Sequence, residues 1–459
     1  MLHVCSNIPR LSADSVRTVV LILSGQLSEN GAELGLLESG VWNKQWPTAK
    51  CLYVQNDITL RNGLRTEALG AHERAMQVVM NHVPNLDSFY LTRNRPDYEI
   101  ADLTFGSAIA GNSPKLKRLE VYCDIRCSRV PFGLPKLTSL VMTIRPGCTV
   151  SWWIPCAASG TLQNMDLSNV ETDLFLQMYR QNNGTVSFVN LKTLRLRQRT
   201  NLVMADNPAR MRERQRAAVQ EEAVVEFPQL QVARILGIQE HVPIGVFPAL
   251  VRSAVKRLDI NLGVRSGMQL RLGEMRHLKH LCASLPLISD VQSVVNDVLT
   301  SPMATLLTLH LRTNVLLECR IPTSFHMANL RILNLESFIP FEHVRLIIKF
   351  LPRLVFLKAG IVKDPEAESI LTFAETEMIA LAAYEPLETS LQVLKLWHCE
   401  SLWAPGGFTS LRVAMIIGLL VSIPSLEQFS APVDVPAEAV IDDRAYGKVY
   451  DAFAKFPDA

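Results

Sequence analysis

The sequence predicts an α/β solenoid, a stack of strand-plus-helix units with parallel strands on a concave face and helices on the convex one. Three observations lead there. Leucine makes up 64 of the 459 residues. Those leucines fall into a recurring phrase, Leu-x-x-Leu-x-Leu, with β-branched or aromatic substitutes. Fifteen such phrases start between Val16 and Leu426, about one every 29 residues. Helix-like stretches that run into a proline separate many of them.

The phrase itself explains the strand. Clear copies begin at Leu116, Leu137, Leu191, Leu278, Leu330 and Leu391, and weaker ones at Val16, Ala49, Leu86, Leu162, Leu230, Val255, Leu306, Leu354 and Leu426. Side chains alternate along an extended chain, so the fourth and sixth residues point to a shared core and the third and fifth point away. Charged residues occupy the outward positions, as at Arg118 and Glu120. The buried strands of a doubly wound sheet would instead read as continuous apolar runs.

Between phrases, Glu67–His82 and Phe341–Phe350 have helical character, and the prolines at Pro84, Pro352 and Pro424 stop a helix and favour extended chain before the next phrase. One strand and one helix cannot bury their apolar faces alone, whereas stacked neighbours can. The expected organisation is an N-terminal segment over residues 1–15, a solenoid over 16–431 and a cap or tail over 432–459.

Composition narrows the class. The chain carries 46 Lys+Arg against 44 Asp+Glu, a net charge of +2, so no global charge points to nucleic acid or an acidic membrane. Residues 1–11 lack the pattern of a secretory signal, and the longest apolar run, near Val413–Ile423, is shorter than a bilayer span and reads as a buried helix. Nine scattered cysteines, without paired CxxC spacing, suit a reducing compartment rather than a disulfide scaffold or a zinc site. A cytoplasmic or nuclear location is expected, with Asn183-Gly184-Thr185 a chance glycosylation match.

The repeated phrase resembles that of leucine-rich-repeat proteins of the long kind, with helices on the convex side. Asparagine or cysteine a few residues after the last leucine is poorly kept; Cys123, Asn169 and Asn314 lie near that position. The degenerate, uneven repeats are similar to fungal F-box/leucine-rich-repeat proteins. His3-Val4-Cys5-Ser6-Asn7 resembles the tail of an F-box, and the F-box itself is expected to be missing or truncated. The resemblance implies a protein-binding role, and in its specific form substrate recognition for a cullin-type ubiquitin ligase.

Catalytic and cofactor signatures are lacking: no phosphate loop, no G-x-G-x-x-G, no G-x-S-x-G and no H-E-x-x-H. His277 and His280 straddle a strand start and read as solvated, with His310 one exposed position away in a neighbouring unit. Neither catalytic residues nor a cofactor or metal are expected, and no small-molecule substrate.

Two features suit a partner. Residues 195–216 hold seven arginines against Asp206 and Glu213, a local charge of +5, in an insertion over 197–226. A helix capped by Asp206 or Asn207 would place those arginines near its positive end, which is unfavourable by about 0.3–1 kcal/mol each. A solvated helix and a basic docking patch are both consistent with that; base-stacking aromatics are absent. The outward strand positions form the second feature. Asp166, Arg195, Arg197, Arg234, Arg257 and Asp259 lie in the middle units, Tyr53 and Tyr90 toward the N-terminal end, Phe356 and Trp397 toward the C-terminal end. The arginines could form a basic band, and these residue types anchor interfaces. The function expected is a non-enzymatic scaffold holding a protein partner on the concave face, without membrane and with nucleic acid disfavoured. The alternative is a regulator of an enzyme, of the GTPase-activating or inhibitor type.

Overall fold

The computed structural model describes residues 17–26, 45–59, 82–92, 114–122, 134–143, 153–170, 174–197, 224–238, 245–262, 272–285, 298, 302–316, 327–362, 386–397, 419–420 and 422–430. The chain divides into two compact units, residues 1–255 and 256–459.

In the first unit, β1 (Thr18–Gln26), β2 (Cys51–Thr59), β3 (Ser88–Thr92), β4 (Arg118–Val121), β5 (Ser139–Thr143) and β6 (Asn164–Ser168) pair in parallel in chain order. β7 (Val186–Ser187) precedes β8 (Thr193–Arg197), which continues the row beside β6; β9 (Val225–Glu226) precedes β10 (Val232–Ile238), which pairs with β8. β7 and β9 form a separate two-stranded ladder. The second unit holds β11 (Arg257–Leu262), β12 (His280–Ser284), β13 (Thr308–Leu316), β14 (Ile332–Pro340), β15 (Phe356–Val362), β16 (Val393–Trp397) and β17 (Gln428–Ser430), again parallel and in order. Each of the fifteen phrases starts two residues before one of these fifteen strands. The architecture is a leucine-rich-repeat solenoid of the α/β class.

In the phrases that start from Leu86 to Leu391 the buried positions are the first, fourth and sixth. Leu191, Leu194 and Leu196 have no exposed surface, and neither do Leu116 (within 1%), Leu119 and Val121. Burying one such side chain is worth about 1.5–3 kcal/mol. Ala233, which replaces a leucine, is also fully buried, so the smaller residue keeps the register.

One backbone contact recurs at every described step within a unit. The carbonyl of the second phrase residue accepts the N–H of the second and third residues of the next phrase. Lys50 does so for Asp87 and Ser88 at 2.8 and 2.9 Å, and Lys279 for Leu307 and Thr308 at 2.8 and 3.1 Å. The residue before the phrase adds a side-chain rung. Asn85, Asn190 and Asn329 donate from Nδ2 to the carbonyls of Pro47, Gly160 and Ala304 in the preceding turn, at 2.9, 2.7 and 2.8 Å. Thr161, Thr305 and Ser425 donate instead to Leu137, Leu278 and Leu391, the first residues of the preceding phrases. The prolines do not stand in extended chain: Pro135, Pro228, Pro352 and Pro424 take the second place of a β-turn closed by the N–H of the phrase's first leucine onto the carbonyl three residues earlier. Proline's fixed φ suits that place.

The helices α1 (Trp153–Ala157), α2 (Leu174–Asn182), α3 (Val246–Arg252) and α4 (Phe341–Phe350) cover the leucine side. α4 lies where the sequence predicts it and buries Val344, Ile347 and Ile348. Trp153 opens α1. Asn183 takes a left-handed φ of 54° just after α2, with Gly184 N–H closing onto Tyr179 O, so this Asn-Gly pair is a helix stop. Of the expected helix over Glu67–His82, only His82 is described, and it is helical; Leu419, Leu420 and Ser422 in the apolar C-terminal run are helical and buried. Among the described residues no helix is long and apolar enough to cross a membrane.

The Arg-rich insertion over 197–226 lies outside the described residues between 198 and 223, as do residues 1–15 and 432–459. Its ends are not helical: Arg197 closes β8, and Val225–Glu226 form β9. Val224 and Val225 are fully buried, which holds this end against the body of the unit. Beside it, Phe227 meets Phe175 edge-on at 5.9 Å and Phe188 at 5.8 Å. Phe227→Ala should therefore cost about 3–5 kcal/mol, seen as a lower urea midpoint, while Gln229→Ala in the exposed turn should shift stability by less than about 0.5 kcal/mol.

Candidate functional site

The third, fifth and seventh phrase positions share the face opposite the core, and the backbone of that face is already hydrogen-bonded along the sheet. Recognition there falls to side chains.

In the first unit the fifth positions run Tyr53, Tyr90, Glu120, Val141, Asp166, Arg195 and Arg234 across successive strands. Arg197 stands two residues beyond Arg195, in register with Ser168 and Leu236. Arg197 Nη2 donates to Asp166 Oδ2 at 3.0 Å, and Arg195 Nη1 lies 3.7 Å from the same oxygen. One carboxylate oxygen thus serves two guanidinium groups. Asp166 Oδ1, Arg195 Nε and Arg197 Nε are buried and make no hydrogen bond. The arginine side chains keep 32% and 43% of their surface exposed, so their charged ends reach solvent.

The other end of the row is aromatic. Tyr53 and Tyr90 stack with centroids 6.1 Å apart, and Thr92 Oγ1 donates to Tyr53 Oη at 3.0 Å. The Arg118 guanidinium lies 5.5 Å over the Tyr90 ring and donates from Nε to Glu120 Oε1 at 2.6 Å. Tyr122 donates its hydroxyl to Glu120 Oε2 at 2.9 Å while 48% exposed. Burial, then the hydrogen bond to Glu120, pushes the Tyr122 phenol up to about 12, so it stays neutral. Arg118, Glu120 and Tyr122 escaped the sequence reading as site residues. Their signal was their place at the third, fifth and seventh positions of a clear phrase.

The second unit has its own face. Arg257 belongs here, and its Nε donates to Asp259 Oδ1 and Oδ2 at 3.0 and 3.2 Å. The expected basic band is therefore Arg195, Arg197 and Arg234 within the first unit, while Arg257 already holds a carboxylate of its own strand. Glu336 lies 3.5 Å from Arg312 and 3.6 Å from Lys358. Phe356 stands between Ile332 and Val393, and Trp397 faces Gly360. The structure brings Tyr53 together with Tyr90, and Asp166 with Arg195 and Arg197; Phe356 and Trp397 sit four residues apart in register on β15 and β16.

Burial, then the Asp259 charge, pushes the Cys282 thiol up, and burial takes Cys156 to about 12. Among the described residues no three His, Cys, Asp or Glu side chains are placed to hold a metal ion. His277 and His280 are exposed. His310 lies in register with Cys282 and Asn334, whose Nδ2 is 3.2 Å from His310 Nδ1. Amide orientation follows from such networks, and a flipped Asn334 would accept from a protonated Nδ1.

No family model matches the sequence, and no curated protein matches it either. Among solved structures, an internalin from Listeria monocytogenes is similar at 13% identity and a TM-score of 0.37, over 78% of this chain and 85% of that one. A leucine-rich-repeat protein from Leptospira interrogans is similar at 11% identity and a TM-score of 0.34, over 96% of this chain and 88% of that one. The fold assignment rests on the chain's own strand register.

His310 carries a pH dependence. Burial lowers its pKa; the Arg257 and His280 charges act the same way, and Glu336 and Asp259 oppose them. The folded imidazole therefore binds a proton less readily than the unfolded one, whose value is about 6.5. Its stabilising effect is fully present above about pH 6.5 and is lost as the pH falls through that value toward the folded pKa. Urea midpoints should drop between pH 7.5 and pH 5.5, and His310→Gln should flatten part of that slope; an unchanged slope would exclude His310 as its source.

Proposed function

We propose that the chain is a non-enzymatic interaction scaffold that takes a protein partner on the open face of its strands. The observation that carries this reading is the row Asp166, Arg195, Arg197 and Arg234, in which Arg195 and Arg197 share one carboxylate oxygen and Arg234 stands in register with Arg195 on the next strand. Arginine and tyrosine dominate the energetically important parts of protein interfaces, because each combines large contact area with directional hydrogen bonds. Here both types stand on a rigid sheet, so little ordering is needed when a partner arrives. The raised thiols and the scattered histidines favour binding over chemistry.

Substrate recognition for a ubiquitin ligase is the narrower form of this reading. It draws on the resemblance of the degenerate repeats to F-box/leucine-rich-repeat proteins, and co-purification of the ligase adaptor decides it.

Affinity purification from native cells, read by mass spectrometry, tests the broader reading. Arg195→Glu with Arg234→Glu should lower recovery of the specifically enriched protein about tenfold or more, with an unchanged far-ultraviolet circular dichroism spectrum. Adding Arg257→Glu should weaken binding further only where the partner also reaches the second unit. Unchanged recovery with the two-site variant would remove the arginine row from the binding surface.

A further inference from the structure

We infer that the first unit receives an extended acidic segment of its protein partner, lying across the strands with an apolar side chain at one end and carboxylates at the other. The inference rests on the scaffold reading and adds the chemistry of the occupant. The row of fifth positions is polarised: tyrosines at β2 and β3, with Tyr122 beside them, and arginines at β8 and β10. Charge decides the basic end. Among the described residues Asp166 is the carboxylate that meets both Arg195 and Arg197, and the same oxygen serves both, so the two guanidinium groups share one negative charge. Arg118 and Arg257, by contrast, each hold a carboxylate two residues along the same strand. Guanidinium groups bind carboxylates through paired N–H donors, which favours Asp and Glu side chains at this end.

Geometry sets the spacing. From β3 to β8 the row crosses four inter-strand steps, about 19 Å at about 4.8 Å each, and an extended peptide covers that with about six residues at about 3.3 Å per residue. An acidic pair about six residues from a large apolar residue fits the face. A nucleic acid fits less well. Its phosphates would run the length of the row and meet Glu120 at the tyrosine end, which repels them, whereas the carboxylates of the peptide lie at the arginine end only.

Selection of random dodecapeptides displayed on phage against the immobilised full chain tests this. The expected consensus pairs Asp or Glu with Trp, Phe or Leu about six residues away. Synthetic peptides of that consensus should lose about tenfold or more in affinity against Arg195→Glu/Arg234→Glu, less against Arg195→Lys/Arg234→Lys, and should lose the apolar preference against Tyr90→Ala. A consensus without acidic residues, an acidic consensus indifferent to the arginine variants, no enrichment at all, or tighter binding of oligothymidylate than of any peptide would each overturn the inference. Non-acidic peptides that still depend on Tyr90 would leave the scaffold reading standing; peptides indifferent to every variant of the face would sink both.

Discussion

One carbonyl per repeat organises the molecule. The second residue of each phrase offers its C=O to two N–H groups of the next phrase, as Lys192 does for Gln231 and Val232 at 3.0 and 3.1 Å. That double contact sets the first hydrogen bond of the ladder, so the strand begins at the third residue in every unit. Everything else follows from the start point. With a period of two, a strand beginning there must bury positions four and six and expose three, five and seven. A slip of one residue would drive Arg195 and Arg197 into the core and Leu194 and Leu196 out of it. The cost of burying those charges exceeds any gain from an alternative pairing.

This explains why the fold was legible despite weak repeats. Periodicity located all fifteen strand starts, including those at Ala49 and Val255, where the phrase has lost its first leucine. The side-chain rungs were not legible. The asparagine or cysteine position after the last leucine is poorly kept, as the sequence reading found, and Asn85, Asn190 and Asn329 act instead from just before the first leucine. Asn169, which sits at the expected place, has a φ of 58° and serves the backbone turn after β6. Asparagine, threonine and serine share the rung position, so no single letter repeats there, and a search for one conserved residue misses it. Proline was read correctly as punctuation and incorrectly as extended chain, because a β-turn and an extended segment both suit its φ.

The site was legible in its positions and not in its partners. Alternation alone put Asp166, Arg195 and Arg234 on one face and predicted that their strands adjoin. Which carboxylate answers which arginine depends on side-chain reach. Asp259 lies two residues from Arg257 on the same strand and face, close enough to capture it, and the same spacing joins Arg118 to Glu120. Arg195 has no acidic residue two places away: its neighbours at that distance are Thr193 and Arg197. It must therefore turn to the adjacent strand, where Arg197 competes for the same Asp166.

That competition is the physical basis for expecting function at this row. A sheet needing only stability could pair an arginine along its own strand, as Arg118 and Arg257 do. Here like charges are held side by side around one carboxylate, and Arg195 Nε, Arg197 Nε and Asp166 Oδ1 make no hydrogen bond. A partner's carboxylates would relieve the repulsion and let the guanidinium groups turn their unused donors outward. Such an arrangement suits the proposed binding role better than the role of a purely stabilising ion-pair network.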